Sequence, residues 1–299
     1  MKFIIIITTA ILIATPLKAE QTGEPYVGRP NYENLRLSGK IHGGAGSMKL
    51  GSLVSGRLLS TPLIYIHYGQ IMPNSGIGEH EHPSMEEMFF SFNAPAEFTQ
   101  DGNTALLPAG SFVPCKLGGS HGIFNRSASD TLMWLNIGIV EEKGGRGGAK
   151  DFGQDLTDRK PGSPDALLWG NFDKSKLKPV ANMHGGKGNV QYCRILGSEN
   201  FKTNWEYIDH VLLPPGTSIG YHQLNATEEV YYILKGHGRV TVNDYTFDAS
   251  PYEAYPCTLH DSHGIYNNTN TDMELFILGI AMQKGVVDTK DLGDDLSKR

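Results

Sequence analysis

Residues 114–125 read PCKLGGSHGIFN, and residues 256–267 read PCTLHDSHGIYN. Eight of the twelve positions are identical, at an offset of 142 residues. A match this dense within one chain marks an internal repeat, which has to be recognised before any local pattern is read. The same offset aligns His42-Gly-Gly-Ala-Gly with His184-Gly-Gly-Lys-Gly, Tyr65-Ile66 with Tyr207-Ile208, His80 with His222, and Glu86-Glu87 with Glu228-Glu229. After one gap, GIVEEKG (138–144) matches GIAMQKG (279–285), and DFGQDL (151–156) matches DLGDDL (291–296). The chain is therefore a tandem duplication, with halves expected at 41–158 and 183–299. An arm at 20–40 precedes them, and a linker at 159–182 with three prolines joins them.

Each half reads as short apolar runs broken by turn residues. WEYIDHVLL is followed by PPGTS, then EEVYYIL, KGHG, RVTV and an Asn-Asp turn. Runs of four to eight residues rich in Val, Ile, Tyr and Phe, punctuated by Gly, Pro and Asn, predict an all-β barrel or sandwich. No segment of convincing length carries the 3.6-residue period of a helix.

The first stretch, MKFIIIITTAILIATPLKAE, has an early lysine, an apolar run and small residues ending at Ala19. That layout predicts a secretory signal peptide over 1–19, hence a periplasmic or secreted protein; an uncleaved membrane anchor is the alternative. Losing Lys2 and Lys18 and no acid moves the formal charge from −6 to −8. A mildly acidic mature chain is a poor partner for nucleic acid or anionic membranes. Cys115, Cys193 and Cys257 form no CxxC motif; one disulfide is conceivable, and none reads as a nucleophile.

GEHEHPSMEE (78–87) carries the chemistry. His80 and His82 lie two apart on a predicted strand and so project from one face. Glu87 opens the next strand, and His121 arrives on a later one. Three imidazoles and a carboxylate converging inside a barrel make a ligand set for one divalent transition metal such as Mn, Fe, Ni, Cu or Zn. The metal would keep open positions for a small-molecule substrate.

HxH, four residues, Glu, then a distant HxxxN resemble the two signature motifs of the cupin superfamily. The duplication makes the mature chain resemble a bicupin, two tandem jelly-roll barrels. The resemblance implies one metal per barrel: His80, His82, Glu87 and His121 in the first, and His222, Glu229 and His263, less completely, in the second. It also implies a metal-dependent enzyme, either a dioxygenase or of oxalate-decarboxylase type, with Glu87 in the reaction centre. Cupin lyases and isomerases, and non-catalytic sugar-binding or storage bicupins, are the alternatives, and a homo-oligomer remains open.

The halves depart from the pattern in opposite ways. The second keeps glycines at 216 and 236 but has Leu224 where the second histidine belongs. The first keeps every ligand and has Asn74 and Ala94 at those glycine positions. Leu224 either leaves a two-histidine, one-carboxylate facial triad or fills the hole in a degenerate barrel; His210 and His260 are weaker candidates for the missing donor. Glu86 and Glu228 point away from the ligand glutamates and are expected to face solvent, unless one serves as an acid or base. His42 and His184 sit either in turns that need glycines or on loops reaching a barrel mouth. Asn125 and Asn267 fall in glycosylation sequons, yet their place in the second motif favours a structural role.

Overall fold

A computed structural model describes residues 23–299, so the expected signal peptide at 1–19 lies outside the described residues. The described residues form antiparallel strands and single-turn 3₁₀ segments. In the first barrel one sheet runs Arg36–Gly39, Ser47–Ser55, Leu63–Ile71, Leu132–Val140, Met85–Ser91, Ser111–Cys115 and Gly170–Asn171. It faces a sheet ordered Lys150–Gln154, Ser75–Glu81, Ser120–Asn125, Ala96–Gln100 and Asn103–Leu107. The second barrel repeats the plan, with Trp205–Leu213, Met273–Ala281 and Thr227–Lys235 central in one sheet and Ser218–Gln223 beside Ser262–Tyr266 in the other. Two facing antiparallel sheets per half make the tandem jelly-roll arrangement.

The repeat reaches upstream of the expected starts at 41 and 183. Arg36–Gly39 pairs with Ser47–Ser55 as Lys178–Ala181 pairs with Asn189–Gly197. The arms ahead of these strands trade places. Gly28 bridges to Ala254 in the second barrel, whereas Gly170, 142 residues on, pairs with Phe112 in the first. Residues 159–182, read as a linker, thus supply an edge strand to one barrel and the first strand to the other.

Strands facing one barrel's interior on one side and the other barrel on the opposite side are buried on both faces. Met85–Ser91, Trp205–Leu213 and Met273–Ala281 are buried at every position. Phe89 points into its own barrel, while Phe90 stacks on Phe276 of the other, ring centroids 5.3 Å apart. Phe92 and Tyr232 add a second stacked pair at 5.6 Å. Each such aromatic contributes roughly 1.5–3 kcal/mol through burial.

This interface overturns the expected solvent exposure of Glu86 and Glu228. Both are 0% exposed. Glu86 accepts hydrogen bonds from Lys202 N (2.9 Å), Thr203 N (2.9 Å) and Thr203 Oγ1 (2.6 Å). Glu228 accepts from Ser60 N (2.9 Å), Thr61 N (2.8 Å) and Thr61 Oγ1 (2.6 Å). The face opposite the ligand glutamate does leave the barrel, but it meets the other barrel rather than water.

Candidate metal centres

The four first-half residues come together. His80, His82, Glu87 and His121 are buried, with donor atoms all within 4.8 Å of one another. Ser75–Glu81 shifts register against Ser120–Asn125 between Ile77 and His80, an irregularity of the kind that re-aims side chains and here sets His80 directly opposite His121. Glu87 Oε2 lies 2.9 Å from His121 Nε2, 3.2 Å from His82 Nε2 and 3.9 Å from His80 Nε2.

The donor set fits a first-row divalent ion. His80 Nδ1 is 2.8 Å from Gly78 O and His82 Nδ1 is 2.9 Å from Gly148 O. A carbonyl can only accept, so each Nδ1 carries its hydrogen and each ring turns its Nε2 inward. Metal bonds of about 2.0–2.2 Å put neighbouring donors roughly 3.0–3.5 Å apart, close to the separations among His82, His121 and Glu87 (3.1, 3.2 and 2.9 Å), with His80 standing farther out at 3.9 Å from Glu87.

Charge follows geometry. Burial pushes the Glu87 carboxyl up, but the imidazoles of His121, His80 and His82 around it prevail and hold it well below the ordinary carboxylate range. Burial brings His121 down to about 3. Burial also opposes a charge on His82, yet its bond to Glu87 leaves it raised. The centre presents an ionised carboxylate beside a neutral His121, both suited to a cation.

Two supporting groups escaped the assignment of site residues. Tyr65 donates its hydroxyl to Glu87 Oε1, leaving Oε2 for the cluster. The ring can lie there because its strand partner is Gly138, where a Cβ would sit 2.8 Å from the ring. Tyr207 repeats this over Gly279, donating to Glu229 Oε1 at 2.6 Å. The signal was present as Tyr65-Ile66 recurring at the common offset, but a tyrosine in a strand reads as core. His42 has φ +49° and stacks on His80 at 3.7 Å, with Nδ1 2.6 Å from Asp151 Oδ1. His184 stacks on His222 at 4.1 Å and pairs with Asp291 at 3.1 Å. The HGGxG turn does use left-handed backbone, yet its histidine is no passenger, because the loop reaches the centre.

In the second half His222, Glu229 and His263 converge, with Glu229 Oε2 2.8 Å from His263 Nε2 and 3.7 Å from His222 Nε2. Leu224, 3% exposed, stands where His82 does and lines a cavity of about 300 Å³. Neither proposed substitute joins the cluster: His210 bonds Glu274 at 2.9 Å, and His260 bonds Asn225 at 2.9 Å. The cavity wall instead carries Arg194 clamped on Asp209 (2.8 and 3.0 Å), with Tyr192 on the same carboxylate at 3.0 Å. The first half has Ser52, His67 and Leu50 there, so the repeat gave no hint of them.

The remaining motifs are structural. Asn125 and Asn267 are buried and donate to turn carbonyls, among them Asp130 O and Thr271 O, each at 2.7 Å. The three cysteines are unpaired, and burial raises the thiols of Cys115 and Cys257, which keeps them unreactive.

Known proteins share this architecture. Residues 209–279 match the family model of the cupin domain. An oxalate-binding protein of Thermotoga maritima is 32% identical over 110 residues, 36% of this chain and 91% of that protein. Salicylate 1,2-dioxygenase from Pseudoaminobacter salicylatoxidans, as an adduct with gentisate, superposes with a TM-score of 0.61 at 13% identity, covering 82% of this chain and 77% of that one. Oxalate decarboxylase from Bacillus subtilis superposes at 0.58 with 15% identity, covering 91% of this chain and 81% of that one. At such identities the two solved structures share the fold, and a fold hosts many reactions.

Proposed function

The chain belongs to the cupin superfamily as a bicupin, and from that premise we propose that it is an exported metal-dependent enzyme whose reaction centre is the first barrel. The observation that carries this reading is the complete, buried set of His80, His82, Glu87 and His121 in one barrel, beside a sister set that lacks one donor. A bound Mn, Fe, Ni, Cu or Zn ion supplies Lewis-acid or redox activation of a small chelating, oxygen-rich substrate. The protein's own residues do the rest. Tyr65 fixes Glu87 by its hydroxyl, and the Gly78 and Gly148 carbonyls fix the rotation of His80 and His82. Met48, Leu50, Ile77 and Phe89 give apolar walls to a cavity of about 210 Å³ beside the centre. The reaction this supports best is a dioxygenation or a decarboxylation of a small carboxylate or enol. Export rests on the layout of residues 1–19 and places the enzyme in the periplasm or outside the cell.

The experiment is metal analysis of the purified mature protein, followed by oxygen uptake and carbon dioxide release over a panel of enols and small acids. The reading fails if stoichiometric first-row metal is absent and His80→Ala with His82→Ala changes nothing. A second reading, ligand capture without turnover, draws support from the relative named as oxalate-binding. Bound metal and ligand with no oxygen consumed and no carbon dioxide released would favour it.

A further inference from the structure

Below the first metal cluster the barrel interior keeps polar groups that the protein does not satisfy. The inward residues of the central strands lie in layers. Glu87, Gly138 and Tyr65 form the layer at the cluster, and Phe89, Asn136 and His67 the next. Ser91, Trp134 and Gly69 form the third. Asn136 Oδ1, Trp134 Nε1 and Ser91 Oγ are all buried with no hydrogen-bond partner. Leaving a buried donor or acceptor unpaired costs about 1–3 kcal/mol each, so native proteins keep few of them, and each asks for a reason.

The sister barrel shows that the fold does not require them. Its register sets Ile277 opposite Asp209 and Leu275 opposite Val211, as Asn136 lies opposite His67 and Trp134 opposite Gly69. Ser91 corresponds to Ile233 at the common offset. All three orphan positions are thus aliphatic in the barrel that lacks the fourth donor, whose own unpartnered group, the Tyr231 hydroxyl, stands at the position of Phe89. The polar trio accompanies the complete ligand set.

Asn136 and Trp134 also line the cavity that reaches His80 and Glu87, whose other walls include Met48, Leu50, Ile77 and Phe89. No lysine or arginine lines it. His42 and His67 also line it, and burial disfavours a charge on His67, the imidazole level with Asn136, so a second carboxylate pushed past the cluster would meet no permanent cation, which is unfavourable. Apolar walls ending in a donor and an acceptor suit a different guest.

We infer that the first barrel takes a substrate longer than a two-carbon diacid: a chelating head at the cluster, an apolar body, and one hydroxyl or carbonyl group at the far end held by Asn136 and Trp134. This rests on the reading of the first barrel as a metal centre. Asn136 and Trp134 are specificity residues here, recognising the end of the substrate remote from the metal.

The test uses hydroxamates, whose head chelates divalent metals whatever body it carries. Binding of acetohydroxamate, benzohydroxamate, 4-hydroxybenzohydroxamate and oxalate to the metal-loaded mature protein is measured by calorimetry. The expected order is benzohydroxamate tighter than acetohydroxamate, with the 4-hydroxyl adding about tenfold, the effect of one well-made buried hydrogen bond. Asn136→Leu should erase the hydroxyl's tenfold while leaving acetohydroxamate unchanged. The wild-type series is informative even if that variant fails to fold. Equal affinity for all three hydroxamates, or oxalate binding tighter than each, overturns the inference while leaving the metal centre standing. Loss of all hydroxamate binding together with absence of metal would instead strike the reading beneath it.

Discussion

The paired glutamates between the barrels give the most quantitative expectation. In Glu86→Gln the amide keeps the shape of the carboxyl, and its oxygen can take the place of Oε2, which serves Thr203 N at 2.9 Å and Thr203 Oγ1 at 2.6 Å. Its NH₂ then replaces Oε1, which accepts from Lys202 N at 2.9 Å and weakly from Leu117 N at 3.4 Å. Donor now faces donor at the half-buried Lys202 N–H, which keeps only its longer bond to Oε2 (3.1 Å), costing about 1 kcal/mol. The bonds to Oε2 that survive lose their charge assistance, roughly 1 kcal/mol together. The sum is about 2 kcal/mol for a carboxylate that is itself closed to solvent. Glu228→Gln removes the equivalent acceptor from Ser60 N at 2.9 Å and Leu259 N at 3.2 Å, so a comparable loss is expected. The two clasps share no residue, and the double variant should lose about 4 kcal/mol. Urea unfolding followed by circular dichroism and tryptophan fluorescence reads these values, and the double variant should show the probes separating as the barrels uncouple. A loss under about 1 kcal/mol for either single variant, or a double variant no weaker than a single one, would refute the clasp.

Other expectations follow from the centres and the surface. His82→Ala removes a donor from the first centre, and metal affinity should fall at least the 10–100-fold typical of losing an outer-sphere partner, read by titration against a competing chelator. Leu224→His restores the missing donor in the second barrel; the metal stoichiometry should rise, and added metal should raise the melting temperature more than in the parent, whereas unchanged stoichiometry would show that the barrel cannot accept it. Glu274 is raised by burial, but the hydrogen bonds from His210 (2.9 Å) and Lys174 (2.7 Å) prevail and hold it below the ordinary carboxylate range. A carboxyl depressed in the folded state stabilises above its unfolded pKa and loses that contribution as pH falls through the folded value. The urea midpoint of Glu274→Gln should therefore lie below the parent's at pH 7 and converge on it in strong acid; a gap that persists there would assign the effect to packing.

Much of this protein is legible in one dimension because it was written twice. Side chains on a strand alternate between two faces with period two, so HxH must present both imidazoles together, and a copy 142 residues on shows which polar residues recur. That reasoning reached a duplicated all-β chain and the four donors of the first half, and the resemblance to cupins implied the jelly-roll barrels and the other three. It failed where the answer depends on what lies across a gap. Glu86 leaves the barrel, as alternation demands, but only the docking of the second barrel decides that it meets Thr203 instead of water. Tyr65 serves Glu87 only because Gly138, some seventy residues on, leaves room for its ring. The arms cross to opposite barrels, an exchange that local propensity does not encode. Periodicity is a property of a strand and survives in the sequence; contact between distant strands is set by how sheets and barrels pack, and only the tertiary structure decides it.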